Sequence, residues 1–261
     1  MSVSYTPHIH LYLLASGSKG NATVVEGPNG SVLVDCGLSR RELHRRADLA
    51  GCDLSRVQAV LITHEHSDHV KGLPVVAKHF AGPIFATRAT MRARNTLQDI
   101  PFTQFTCGDA FDIAGMHLQT FALSHDVADP VGYRFEVRDG GDTLDAAGWA
   151  TDTGVLTGDA SEALRDCRIL GIESNHDPDM LATGPYPGYL KARVGGRHGH
   201  LSNLQAAQAL PQLVGSQTQV VVAMHISEKN NTPRHVRKAL EGCVSGATLR
   251  LAPQDEPLVV W

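Results

Sequence analysis

Short apolar runs broken by turn residues fill the first third of the chain. Residues 10–15, 22–26 and 31–35 read as strands, and the turn Gly27-Pro28-Asn29-Gly30 joins the last two into a meander. Residues 39–49 carry apolar positions at helical spacing behind Ser39, whose hydroxyl can accept from the first free amides, so a capped helix is predicted there. Residues 57–63 are apolar and partly β-branched, which predicts a strand. A helix over 70–80, a strand over 83–86 and two or three antiparallel strands within 102–124 follow. The second half uses the same elements. Strands are expected at 132–137, 148–151, 169–173, 219–226, 248–251 and 258–261, with helices at 161–165, 203–213 and 233–240. The polar, glycine-rich stretch 139–147 reads as a hairpin loop, too short for a hinge.

Strands and helices mixed in both halves predict an α/β protein in which two sheets pack face to face with helices outside, an αββα four-layer sandwich. With 261 residues, no linker and no repeat, a single domain over 1–261 is expected. No apolar run approaches the roughly 18 residues that cross a bilayer. Residues 1–10 show no basic segment leading into an apolar one, so a cytoplasmic location and no membrane association are expected. Five scattered cysteines without a C-x-x-C pair fit neither a disulfide framework nor a zinc ribbon. The net charge of −4 argues against a protein that coats nucleic acid generally, while leaving room for a local basic patch. The sequence leaves the oligomeric state open.

Histidine changes the picture. There are fourteen, and four metal-ligating residues fall within six positions, His64, His66, Asp68 and His69, at the end of a predicted strand. His64 and His66, two apart on an extended chain, can aim at one ion, while Asp68 and His69 follow at a turn and can aim at a second.

This His64-Glu65-His66-Ser67-Asp68-His69 run resembles the signature of metallo-β-lactamase-fold hydrolases. The resemblance implies a third histidine for the first metal, matched by His125 in Ser124-His125-Asp126. It implies a bridging carboxylate, for which Asp152 in Ala150-Thr151-Asp152-Thr153-Gly154 fits better than Asp159. It also implies a last histidine after a late strand, matched by His225. Asp35 resembles the early aspartate of that family, whose implied role is to orient the site without ligating. The runs Ala15-Ser16-Gly17-Ser18-Lys19-Gly20-Asn21, Glu173-Ser174-Asn175-His176-Asp177, Gly199-His200-Leu201-Ser202-Asn203 and Asn230-Asn231-Thr232-Pro233 together are similar to the WalJ (YycJ) group of nuclease-like phosphodiesterases.

That resemblance implies two divalent metal ions (Zn, Mn or Fe) and a phosphodiester bond cleaved by a two-metal-activated hydroxide, including exonucleolytic action on DNA. Asp68 would ligate and also accept from the attacking hydroxide, and His200 would protonate the leaving oxygen. The expected substrate is a nucleic acid or a small phosphodiester. Lys191, Arg193 and Arg197, with no acid between Leu190 and Asn203, could contact its phosphates. The alternative is a thioester or lactone hydrolase, glyoxalase II-like, on the same pair of metals, which would need His200 and the basic stretch less.

Overall fold

A computed structural model describes residues 8–261. The expectation about the first ten residues therefore lies mostly outside the described chain.

The strands are β1 (His10–Ala15), β2 (Ala22–Gly27), β3 (Gly30–Val34), β4 (Val57–Leu61), β5 (Ile84–Thr87), β6 (Thr103–Phe105) and β7 (Ala110–Ile113). They continue with β8 (Met116–Ala122), β9 (Val131–Asp139), β10 (Asp142–Ala150), β11 (Ile169–Glu173), β12 (Val220–Met224), β13 (Thr248–Leu251) and β14 (Leu258–Val260). Interspersed are the helices α1 (Arg40–Ala50), α2 (Ser67–Val70), α3 (Leu73–Val76), α4 (Arg88–Ala93) and α5 (Gly158–Leu164). After them come α6 (Pro178–Thr183), α7 (Gly188–Val194), α8 (Asn203–Leu213) and α9 (Pro233–Leu240).

Two seven-stranded sheets form, in the orders β14-β1-β2-β3-β4-β5-β6 and β13-β12-β11-β10-β9-β8-β7. Each is a meander at one side and parallel at the other. Strands β3 to β6 run parallel in the first sheet, and β10 to β13 in the second. Three apolar layers follow from this. Leu11, Leu13, Val34 and Leu61 of the first sheet meet Tyr133, Phe135, Trp149 and Val222 of the second between the sheets. Leu43 and Ala47 of α1 with Leu73 and Val76 of α3 cover the outer face of the first sheet. Leu164 of α5, Leu210 of α8 and Val236 of α9 cover that of the second. Three buried apolar layers between four layers of structure, two helical and two of sheet, give the αββα sandwich that the sequence predicts.

Several expectations are corrected. The helix expected over 70–80 is broken into α2 and α3. Gly72 donates its amide to Cys36 O at 2.9 Å, outside any helix ladder, and a side chain there would strike Leu38 O. The loop expected over 139–147 is mostly strand. The hairpin turns at Gly140-Gly141, and β10 extends back to Asp142, where its polar residues face solvent. Strand β6 is not antiparallel to its neighbours but pairs in parallel with β5 at the edge of the first sheet. Helices α4, α6 and α7 were not predicted. Each is seven residues or fewer and carries almost no apolar face, so periodicity has nothing to register.

Candidate metal centre

The carboxyl ends of the strands converge on one cleft, where open α/β sheets bind ligands. Asp35 follows β3, Thr63 to His66 follow β4, His125 follows β8, Asp152 follows β10, Glu173 ends β11 and His225 follows β12. Asp35, Asp152 and His225 take left-handed backbone conformations, with φ of 60°, 58° and 52°. Three non-glycine residues at positive φ around one cleft is an unusual concentration of backbone cost, and it turns each chain sharply at the strand end.

Asp68 and His69 lie within the short helix α2, not at a turn ahead of the helix as the sequence suggests. All seven ligand candidates come together. Donor atoms of His64, His66 and His125 lie within 4.8 Å of one another, and so do those of Asp68, His69 and His225. Asp152 joins His64 and His69 in a third such group. Asp159, the rejected alternative, sits exposed on the first turn of α5.

The surrounding residues fix the imidazoles. His69 Nδ1 is 2.7 Å from Asp35 Oδ2, while Asp35 also accepts from the Thr63 amide at 2.9 Å and the Thr63 hydroxyl. His125 Nδ1 donates to Gly199 O at 2.9 Å, which turns its Nε2 inward. Asn21 Nδ2 reaches Asp68 Oδ2 at 3.2 Å and His69 Nε2 at 3.0 Å. Asn175 Nδ2 donates to His225 O at 2.8 Å, and the His225 amide donates to Ser16 Oγ at 2.8 Å.

What remains is informative. His64 Nε2, His225 Nε2 and Asp152 Oδ2 are buried with no hydrogen-bond partner, although His69 Nε2 approaches that aspartate oxygen to 3.1 Å. Leaving such atoms unpaired costs about 1–3 kcal/mol each. Nitrogen and carboxylate oxygen lone pairs facing one space are a donor set that suits a divalent cation, so the residues fit the group that the fold implies.

The charges agree. Burial drives the His64 imidazole well below its ordinary value, favouring the neutral form that binds metal. Burial also opposes charge on His69 and His225, but the facing carboxylates, Asp35 foremost for His69 and Asp152 for His225, outweigh it and raise both. Burial works against ionised Asp152 too, yet His225 and His69 hold its carboxyl well below the usual range.

Glu173 is the residue that the sequence reading left without a role. Fully buried, it accepts from the Thr153 amide at 2.9 Å and the Leu201 amide at 3.2 Å. It also meets His200 Nδ1 at 2.8 Å and His225 Nδ1 at 3.0 Å. Its oxygens are thus taken, so it orients two histidines and is poorly placed to ligate. The available signal was a carboxylate ending an all-apolar strand, Ile169–Glu173. Asp126 was likewise passed over. Its Oδ1 lies 3.5 Å from His125 Nε2 and 3.8 Å from His66 Nε2.

His200 stands between the two groups, its ring 5.0 Å from that of His125 and 5.2 Å from that of His225. Burial disfavours its charge, but Glu173 more than compensates and raises it. The basic stretch is less uniform than its sequence. Lys191 Nζ donates to Ala182 O at 2.6 Å, Arg193 pairs with Asp126, and Arg197 is exposed with no carboxylate partner among the described residues. Behind the centre, three of the sequence runs meet. Ser174 Oγ donates to Asn203 Oδ1 at 2.7 Å, and Asn231 Nδ2 donates to the carbonyls of Ser174 and Asn175, each at 3.0 Å.

Residues 31–226 match the family model described as a β-lactamase superfamily domain. Over 236 residues the chain is 33% identical to exodeoxyribonuclease YycJ of Bacillus anthracis, covering 89% of this chain and 88% of that protein. Over 225 residues it is 32% identical to exodeoxyribonuclease WalJ of Streptococcus pneumoniae serotype 2, covering 84% and 82%. The solved structure of the metallo-β-lactamase-fold protein YhfI from Bacillus subtilis shares the fold with a TM-score of 0.70 at 14% identity. That match covers 97% of this chain and all of the other. The chain belongs to the metallo-β-lactamase-fold branch of the β-lactamase superfamily and, within it, to the group that contains YycJ and WalJ.

Proposed function

We propose that this protein is a metal-dependent phosphodiester hydrolase acting on DNA as an exonuclease, with His64, His66, His125 and Asp152 holding one divalent ion and Asp68, His69, His225 and Asp152 a second. The observation that carries the reading is His200, gripped at Nδ1 by Glu173 between both histidine groups. Similarity to the two exodeoxyribonucleases supports DNA as the substrate.

Two bound divalent ions would lower the pKa of water toward neutrality and neutralise charge on the phosphoryl oxygens. Five imidazoles with two carboxylates suit Zn, Mn or Fe. The chain's own groups supply the rest. Asp35 and Gly199 O hold the Nδ1 protons of His69 and His125 and so present Nε2 to the cleft. Asp68 would help hold the second ion and could accept a hydrogen bond from the attacking water. Glu173 favours the protonated form of His200, whose Nε2 proton would pass to the departing alkoxide.

The test compares wild type, His66→Ala and His200→Ala on end-labelled single-stranded DNA, bis(p-nitrophenyl) phosphate and a thioester, with Mn²⁺ or Zn²⁺ added. His66→Ala should abolish turnover of both phosphodiesters. His200→Ala should lower kcat on DNA by about 10²–10⁴-fold, and far less on the nitrophenyl ester, whose leaving group needs no proton. Turnover of the thioester alone, indifferent to His200→Ala, would sink the phosphodiesterase reading.

A further inference from the structure

Between Asp68 and Asp99 the chain carries Lys71, Lys78, Arg88, Arg92 and Arg94 and no aspartate or glutamate. In a protein of net charge −4 this is a local reversal of sign, and the fold decides where it is displayed. Strand β5 runs parallel to β4 with Leu61 opposite Phe85, and Ile62 donates its amide to Phe85 O at 2.9 Å. Thr87, two residues on, therefore ends β5 beside the point where the ligand loop begins. Its hydroxyl accepts from the Thr90 amide and starts α4 there. Helix α4 thus stands on the same edge as the metal centre, on the His64 and His66 side.

Arg88 and Arg92, four apart on α4, share one face and are exposed. With Ala89, Phe105, Thr106 and Asp129 they line a recess of about 550 Å³. Arg94, half-buried just past the helix, donates from Nη1 to Glu65 O at 3.0 Å, and Glu65 stands between the ligand candidates His64 and His66. Its guanidinium is one residue from each. Glu65 Oε1 accepts from the Ala128 amide at 2.9 Å, which brings the loop from His125 to Asp129 against the same rim. Asp129 is the one acid lining the recess, and among the described residues no carboxylate pairs with Arg88, Arg92 or Arg94. Lys191 and Arg193 on the other rim differ, for the fold has already bonded them.

Uncompensated guanidinium groups fixed beside a centre that cleaves phosphodiesters match the charge of a nucleic-acid backbone, which carries one phosphate about every 3.4 Å along each strand. We propose that Arg88, Arg92 and Arg94 form a track for the DNA backbone, holding phosphates that flank the scissile one on the His64 and His66 side of the centre. This deepens the phosphodiesterase reading and rests on it. Contacts of this kind release counterions, so they position the substrate without reading its sequence and weaken as salt rises.

The experiment measures kcat/KM on end-labelled DNA, duplex and single-stranded, from about 50 to about 200 mM NaCl. Bis(p-nitrophenyl) phosphate, which has no flanking phosphates, reports on the centre itself. Relative to that ester, Arg88→Gln/Arg92→Gln should lower kcat/KM on DNA about 10–100-fold at about 100 mM NaCl, and should flatten the log–log salt dependence by about 0.7–0.9 for each arginine removed. Arg94→Gln should flatten it by one such step. Arg88→Lys/Arg92→Lys keeps both charges and should retain the wild-type slope. Lys78→Gln removes a cation of the same stretch ahead of β5, outside the track, and should leave the slope unchanged. A wild-type slope in the Arg88→Gln/Arg92→Gln protein, a loss on DNA no greater than that on the nitrophenyl ester, or an equal flattening by Lys78→Gln overturns the inference. If the wild-type protein turns over the ester but degrades no DNA, the exonuclease reading falls and the track falls with it. A wild-type protein that degrades DNA, with arginine variants that match it, sinks the track alone.

Discussion

Asp35 never enters the cleft, yet it decides which nitrogen of His69 faces inward. With both carboxylate oxygens accepting, it holds a proton on His69 Nδ1 and leaves Nε2 as a lone pair. An amide in its place would keep the contact to the Thr63 amide but turn an NH₂ toward His69. That favours the opposite tautomer, with a hydrogen pointing at the metal. Asparagine tolerates the left-handed backbone found there, so the chain path should persist. Asp35→Asn is therefore expected to lower metal affinity about 10–100-fold. Competition with a chromogenic chelator reads this directly, and an unchanged affinity would show that Asp35 supports the backbone alone.

At the scale of elements, the two sheets are tied by polar clamps as well as by the apolar layer. Asp145 on β10 accepts from Arg168 Nε at 2.8 Å, just ahead of β11, and from the amides of His8 and Ile9 leading into β1. Arg168 in turn donates to Ile9 O at 2.5 Å. Asp145→Asn leaves the buried guanidinium without its counter-charge and should cost about 3 kcal/mol. Burial opposes ionisation of this carboxyl, but the Arg168 hydrogen bonds and charge prevail and hold it below the usual carboxylate range. A depressed folded value means that the stabilisation is present above about pH 4, the unfolded value, and is lost as pH falls toward the folded one. Urea unfolding should show a constant gap between wild type and variant from about pH 6 down to about pH 4.5, shrinking below about pH 4. A gap that grows on acidification would contradict this assignment.

For the whole molecule, the proposed ligands are divided between the sheets. His64, His66, Asp68 and His69 follow the first, while His125, Asp152 and His225 follow the second. Metal bound there would staple the two halves together, and binding to the folded state alone stabilises it by mass action, about 4 kcal/mol at a thousandfold excess over Kd. Chelation should lower Tm by several degrees, restored by Zn²⁺ or Mn²⁺. His225→Ala should blunt that recovery, and differential scanning calorimetry distinguishes these outcomes. Because the imidazoles must bind unprotonated, the metal-dependent gain in Tm should diminish as pH falls.

The sequence by itself determined most of the secondary structure and the cluster His64, His66, Asp68 and His69, while His125, Asp152 and His225 became candidates only through the family resemblance. Strand and helix periods are local properties, and the His64 to His69 run lies at a single strand end. It also determined the four-layer architecture, since alternating apolar strands and amphipathic helices leave few ways to bury their faces. Only the tertiary structure decided what depends on residues distant in the chain. Glu173 gained its role because β11 ends beside β12 and the loop that carries His200. Gly72 broke a helix because the backbone of residues 36–38 passes against it. Lys191 and Arg193, alike as charges in the sequence, became ties within the fold when α7 folded onto the rim, while Arg197 has no carboxylate partner among the described residues. Local pattern specifies which groups a segment offers, but long-range packing specifies which of them are consumed in holding the fold and which remain free for a ligand.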